Sequence, residues 1–274
     1  MRISDEVKDA SLSVGRIVKE YGDDKALRSF YLEFWRRALV LELVRKYCPK
    51  GGTVIDLGAQ PFIISCALKL MNYEVIAYDY NPGRYLGIAK ACNVKVVKCD
   101  LERDSLDLKD SSVDYAVFSE VLEHINPYYV HHTLTETNRV LKVGGKLIVT
   151  TPNIASLFRR VKLLLGKQPV YRLHVKEYTK DEVEKLLKEY GFRILESFYS
   201  EVNDLHFVDA ELHDYLRING YLDLIRCLFR KPSKVNLLRM LAYPIVKAIP
   251  PLRMLQVVVA WKVSHPGLSH VERW

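Results

Sequence analysis

The stretch that most constrains this chain is Thr53-Val54-Ile55-Asp56-Leu57-Gly58-Ala59-Gln60-Pro61-Phe62-Ile63-Ile64-Ser65. Its β-branched start predicts a short buried strand, which breaks at Gly58 and resumes as an apolar helix to about Met71. A strand that turns sharply into a helix leaves an acid, Asp56, at its tip and free N–H groups at the helix start. Such a corner suits a charged small molecule. Further on, Tyr73-Glu74-Val75-Ile76-Ala77-Tyr78-Asp79 predicts a second strand that again ends in an acid. At this spacing a βαβ unit places a carboxylate on ribose hydroxyls.

The remaining chain repeats that alternation. Residues 5–22 predict one helix and Lys25–Tyr47 another, rich in aromatics and stopped by Pro49-Lys50-Gly51-Gly52. Asn81-Pro82-Gly83 opens a helix to about Cys92, and Val94–Asp100 is a third strand ending in an acid. Val113–Ser119 is the fourth strand, Pro127–Leu141 a helix, Val143-Gly144-Gly145 a turn and Lys146–Thr151 the fifth strand. Thr179 with Glu182 forms a capping box for a helix ending at Gly191. Phe192–Ser200 and Leu255–Trp261 complete the strands. Strands alternating with helices at this pitch mean an α/β fold, its parallel sheet covered on both faces.

Charge is unevenly spread around the net +8. From Leu224 to Val271 there is no acid, and a second acid-free run carries Arg159, Arg160, Lys162, Lys167, Arg172 and Lys176. This segregation points to an anionic partner: a phosphate-bearing metabolite, nucleic acid or a lipid surface; a solvated face is the plain alternative. The five cysteines show no close pair and fit a reduced, cytoplasmic protein. Charges interrupt the N-terminal stretch, as a signal peptide would not allow, and no apolar run is long enough to span a bilayer.

Asp56-Leu57-Gly58, Asp79, Cys99-Asp100-Leu101, Ser119-Glu120-Val121-Leu122-Glu123-His124-Ile125, Gly144-Gly145-Lys146-Leu147 and Thr150-Thr151-Pro152-Asn153 occur in one order and spacing. In this the chain resembles the class I S-adenosylmethionine-dependent methyltransferases over roughly residues 50–200, plus the late strand. The resemblance implies a Rossmann-like seven-stranded, mostly parallel sheet with helices on both faces. Residues 1–50 would be an N-terminal helical lid, 51–200 the cofactor-binding core, 201–253 a helical substrate cap inserted before the last strand, and 254–274 the last core strand and tail.

The resemblance further implies that Asp56, Gly58, Ala59 and Gln60 hold the methionine end of S-adenosylmethionine. Asp79, with Tyr80 beside it, would accept from the ribose hydroxyls, Asp100 and Leu101 would read the adenine, and Ser119 and Glu120 would lie beside the sulfonium. Many members have glycine where this chain has Gln60 and Phe62. Pro61 is suited to a helix's first position, and Phe62 is expected to narrow the pocket.

Methyl transfer needs a positioned nucleophile and, for a hydroxyl, a proton acceptor. His124 is the candidate base, with Glu120 and Glu123 beside it. Glu120-x-x-Glu123-His124 followed by His174 also resembles the divalent-metal sites of ubiquinone-pathway O-methyltransferases and small-RNA 2′-O-methyltransferases; metal is here the minority reading, because the pattern recurs in members not known to need one. Tyr31, on the presumptive lid, is a weaker site candidate. His131, His132, His206 and His213 show no partner spacing and read as surface or core residues. The reading is O-methylation of a small or lipid-like anionic acceptor. The alternatives are an RNA 2′-O-methyltransferase, a non-catalytic interaction module, and peripheral membrane contact through 224–253.

Overall fold

The computed structural model describes residues 3–204, 221–230 and 232–264. It opens with α1 (Asp5–Tyr21), α2 (Asp24–Leu32) and α3 (Phe34–Tyr47). Then come β1 (Thr53–Leu57), α4 (Ile63–Leu70), β2 (Glu74–Asp79), a 3₁₀ turn at Pro82–Tyr85, α5 (Leu86–Ala91), β3 (Lys95–Lys98) and β4 (Val113–Ser119). A 3₁₀ turn at Leu122–His124 precedes α6 (Val130–Val140), β5 (Leu141–Pro152), α7 (Leu157–Leu164), α8 (Lys180–Glu189) and β6 (Phe192–Ser200). Last come α9 (Tyr221–Arg230), α10 (Lys234–Ala248), a 3₁₀ turn at Pro250–Leu252 and β7 (Leu255–Lys262).

The seven strands form one sheet in the order β3-β2-β1-β4-β5-β7-β6. Strands β1 to β5 pair in parallel, and β7 inserts antiparallel between β5 and β6. The strand order reverses between β1 and β4, so the loops leaving their C-terminal ends diverge and open a cleft there.

Period-2 alternation builds two cores from the same strands. Val54, Ala77, Val117, Ile148, Val257 and Val259 face one side, where residues of α1, α3, α4 and α5 cover them. Their neighbours Ile55, Tyr78, Phe118, Val149 and Val258 face the other, beneath α6 and α8. The N-terminal helices therefore form a layer of the core: Val7, Val14, Val40 and Leu41 are buried in it.

Two boundaries differ from expectation. The helix expected over Lys25–Tyr47 breaks at Glu33, which leaves helical geometry at φ −108°, ψ 10°. The cause is local bonding: the Arg37 guanidinium donates to the Ser29 carbonyl at 2.8 Å and to the Glu33 carboxylate at 2.6 Å, clamping the kink. The fifth strand begins at Leu141 rather than Lys146. The residues expected to turn, Val143-Gly144-Gly145, are absorbed as an irregularity in β5, where the pairing with β4 shifts register and Gly144 takes φ +81°. The capping box at Thr179 and Glu182 forms as expected.

Candidate functional site

At the tip of β1, Asp56 is buried and accepts from the Ser65 hydroxyl of α4; burial pushes its carboxyl up to about 7. Gly58 follows at φ +68°, and a Cβ there would lie 2.5 Å from Val121, so only glycine lets the β1 and β4 loops meet this closely. The amides of Gly58 and Ala59 both donate to the Tyr78 carbonyl, at 2.9 and 3.0 Å. This qualifies the expectation that the Gly58–Ala59 backbone faces a ligand, since its N–H groups already tie the turn to β2.

The next amide, Gln60 N–H, donates to the Asp79 carboxylate at 3.0 Å, and Asn81 N–H donates to its other oxygen at 3.0 Å. Asp79 thus locks both loops and still has lone pairs to offer outward. Pro61 does not begin the helix: α4 starts at Ile63, with Phe62 before it in the left-handed region at φ 68°. Phe62 has the backbone angles that glycine favours, yet its ring is fully buried in the core. It does not narrow the cavity, because it points under the sheet rather than into the cleft.

Two adjoining cavities occupy the cleft and share Gly58, Gln60, Glu120 and His124. The larger, about 570 Å³, is lined by Asp79, Tyr80, Asp100, Leu101 and Ile125 among others. There Asp100 accepts from Glu102 N–H at 3.1 Å, and Thr133 of α6 donates to the Leu101 carbonyl at 2.8 Å, fixing that loop. The smaller, about 290 Å³, contains Asp56, Ala59, Ser119, Glu123 and His174, together with Ser29, Glu33, Arg36 and Arg37 of the N-terminal helices. Tyr31 packs against the core instead.

The acidic end of β4 is held under tension. Glu120 adopts φ 57°, unfavourable for a residue with a Cβ, while its N–H donates to the Thr150 carbonyl at 2.8 Å. Its carboxylate accepts from Arg36 at 3.1 Å, and Arg36 also donates to Glu33 at 2.6 Å. Glu120 Oε1 and Arg36 Nε are buried with no hydrogen-bond partner. Burial raises Glu120, with Arg36 opposing, and burial followed by Glu120 pushes Glu123 well above the usual carboxylate range. Glu123 accepts from the Thr151 hydroxyl at 2.8 Å.

His124 and His174 meet edge to face, with ring centroids 4.8 Å apart. His124 Nδ1 donates to the Leu173 carbonyl at 3.1 Å and His174 Nδ1 to the Glu177 carboxylate at 2.8 Å, which leaves each Nε2 as the free ring nitrogen. Buried Glu177 also receives Arg159 of α7 at 2.6 Å and Tyr171 N–H at 3.1 Å. Desolvation, then the neighbouring His174 imidazole, lowers the His124 pKa. Ligand atoms of Glu123, His124 and His174 lie within 4.8 Å of one another. The other histidines serve elsewhere: His131 pairs with Tyr190 and His132 with the Asp104 carbonyl, while His206 and His213 lie outside the described residues.

A family profile described as a methyltransferase domain matches residues 27–197. The chain belongs to that family. A Mycolicibacterium smegmatis protein named as a probable S-adenosylmethionine-dependent methyltransferase is 33% identical over 165 residues, covering 59% of each chain. An uncharacterised protein of Methanocaldococcus jannaschii is 26% identical over 211 residues, covering 68% of this chain and 80% of its own. The crystal structure of a SAM-dependent methyltransferase from Archaeoglobus fulgidus superposes with a TM-score of 0.56 at 20% identity, covering 88% of this chain and 100% of that one. This methyltransferase is an enzyme that uses S-adenosylmethionine as its methyl donor.

The cleft suits that cofactor on its own terms. Carboxylates stand at both ends of it, and the orphaned Glu120 Oε1 is an acceptor with nothing to accept from until a cationic or hydroxylic group enters. Among the described residues no helix is long and apolar enough to cross a membrane. On the N-terminal helices, the cleft residues Ser29, Glu33, Arg36 and Arg37 escaped the sequence reading. Their only signal was a polar stripe at i, i+4, i+7 and i+8 along an otherwise apolar helical stretch.

Proposed function

We propose that the methyltransferase methylates a hydroxyl oxygen on a small or lipid-like anionic acceptor, with His124 taking up the hydroxyl proton. The carrying observation is the His124 ring. Its Nδ1–H is committed to the Leu173 carbonyl, so Nε2 is the basic nitrogen, and the residue stands where the two cavities join. Its lowered pKa keeps the imidazole neutral near pH 7, the state a general base needs.

In this reading Asp79, with Tyr80 beside it, holds the ribose, and Asp100 with Leu101 lines the adenine. Asp56, Gly58, Ala59 and Gln60 surround the methionine end, and Ser119 and Glu120 flank the sulfonium. S-adenosylmethionine supplies a methyl group on a good leaving group, so the chain's own work is placement and proton removal. The basic, acid-free segment up to Lys176, whose Leu173 carbonyl holds His124, supports the anionic character of the acceptor.

The convergence of Glu123, His124 and His174 favours a second reading, in which a divalent cation bound by them lowers the pKa of the acceptor hydroxyl. Glu177 would orient His174 and Thr151 would orient Glu123, as outer partners of metal ligands do. One experiment separates the two. Methyl transfer to a panel of hydroxylated acids is measured after chelation and after adding back Mg²⁺, Mn²⁺ or Zn²⁺. Activity that survives chelation and falls in His124→Asn supports the base; activity restored only by metal supports the cation. Transfer confined to amines or carbon acids would overturn both.

A further inference from the structure

Among the described residues, one α-helix, α7, buries none of its side chains. Helix α7 touches the rest of the fold through Leu157, which packs against a small cluster of Leu224, Tyr243 and Val246. At its far end Leu163, Leu164 and Leu165 project as a block, 66%, 86% and 63% exposed. Three consecutive leucines at a helix end cannot form one stripe, so no flat helix face would cover them all. The same segment, Asn153 to Lys176, carries Arg160, Lys162, Lys167 and Arg172 and no acid.

This tip is tied to the reaction centre. Arg159 of α7 reaches inward to Glu177, the same carboxylate that holds His174. The loop between them exposes Tyr171, Leu173 and Val175, and the Leu173 carbonyl holds His124. Exposed apolar residues, in an acid-free basic segment, therefore recur along the chain from the leucine tip to the loop that holds His124.

We propose that Leu163–Leu165 and their basic surround dock the enzyme on an anionic phospholipid bilayer, with the His124 mouth facing the lipid surface. Charge and apolarity select this occupant. A bilayer of anionic lipid presents negative headgroups to the basic residues and hydrocarbon to the leucines. RNA would use the positive charge but leave the leucines in water, where bases need aromatic or guanidinium platforms. A second copy meeting tip to tip would bring two acid-free surfaces together. The sequence placed membrane contact at 224–253. Exposed Phe229, Leu237, Leu238, Leu241, Ile245 and Ile249 lie there, but spread over two helices and the residue just past them, and Arg230 and Arg239 are already engaged within the protein. Docking stands independently of the transfer chemistry; only its use, delivery of an amphipathic acceptor, rests on the proposed function.

The test is flotation of the full chain with phosphatidylcholine vesicles, with and without phosphatidylglycerol. Binding is expected only to the anionic vesicles, weakening as salt rises. The triple change Leu163→Ser, Leu164→Ser and Leu165→Ser is expected to reduce it about tenfold or more. Lys162→Glu with Lys167→Glu should reduce it as well, whereas Leu238→Ser with Leu241→Ser should not. Cofactor affinity by calorimetry, unchanged in each variant, shows that the fold is intact. No vesicle binding by the wild type, equal binding by the leucine triple, or loss only in the α10 pair overturns the proposal. So does salt-sensitive RNA binding, or a dimer dissolved by the leucine triple, in a protein that ignores vesicles. If vesicles bind but no hydroxylated acceptor is methylated, the transfer reading fails and the docking surface stands.

Discussion

The two ends of the cleft are built from the same residue type by opposite means. At the larger cavity Asp79, the last residue of β2, and Asp100, just past β3, gain their order from backbone N–H groups, Gln60 and Asn81 on one and Glu102 on the other. At the smaller cavity Asp56 and Glu123 are buried, and partly buried Glu120 is balanced by the Arg36 guanidinium. The first arrangement places charge cheaply in a polar rim. The second holds carboxyls above their usual pKa, so they respond to whatever charge arrives. In the proposed reading one end recognises the cofactor and the other carries the reaction.

The largest expected effect falls at the reactive end. His124→Asn should lower kcat by about a hundredfold or more while leaving cofactor affinity intact, as read by steady-state kinetics beside calorimetry. The kcat/KM profile should show an acid limb below the ordinary histidine value of 6.5, because the lowered pKa keeps His124 neutral until further into acid. A limb unmoved by the substitution would assign the base elsewhere.

At the other end, Asp79→Ala removes the proposed ribose acceptor and orphans the Gln60 and Asn81 amides together. Cofactor affinity should fall about a hundredfold, with kcat at saturation changed far less. An equal loss in both parameters would erase the distinction between the ends.

Phe62 tests what lies beneath both. Phe62→Gly empties a fully buried ring site, costing about 3–5 kcal/mol, of which relief of the left-handed backbone returns about 1 kcal/mol. Denaturant unfolding measures the net loss. If the variant instead binds S-adenosylmethionine more tightly, the ring obstructs the cavity after all.

The smallest effect sharpens the contrast most. Asp56, raised to about 7, is partly protonated in the empty enzyme at neutral pH. A cationic ligand favours the ionised carboxylate and lowers that pKa, so uptake should release a fraction of a proton. Affinity should rise with pH through the region below 7 and level off above it. Calorimetry in buffers of different ionisation enthalpy reads this directly; zero release at pH 6.5–7 would mean Asp56 is already charged. Asp56→Asn should abolish the release.

Most of the fold was legible because local rules and global topology agree. The β-branched strands, their terminal acids and the Thr179–Glu182 capping box are short-range signals, and short-range physics produced them. The failures were of another kind. The break at Glu33 goes with guanidinium bonds from Arg36 and Arg37 to Glu33 and from Arg37 to the Ser29 carbonyl, short-range side-chain bonding that helix propensity does not reveal. Phe62 was misread because its backbone angle and its side-chain direction are separate facts: the first resembles a glycine, the second belongs to the core.

The amino-acid order by itself determined the alternating α/β architecture, the acids at the ends of β1, β2 and β4, and the glycine at the first turn. Periodicity and turn chemistry act over a few residues, and that range suffices for these. Only the tertiary structure decided that Arg36 would reach Glu120 and that Arg159 and His174 would share Glu177. It also decided that α7 would leave its leucines in solvent. The first of those outcomes joins segments far apart in the chain, where the sheet's strand order, rather than any local preference, sets which side chains meet.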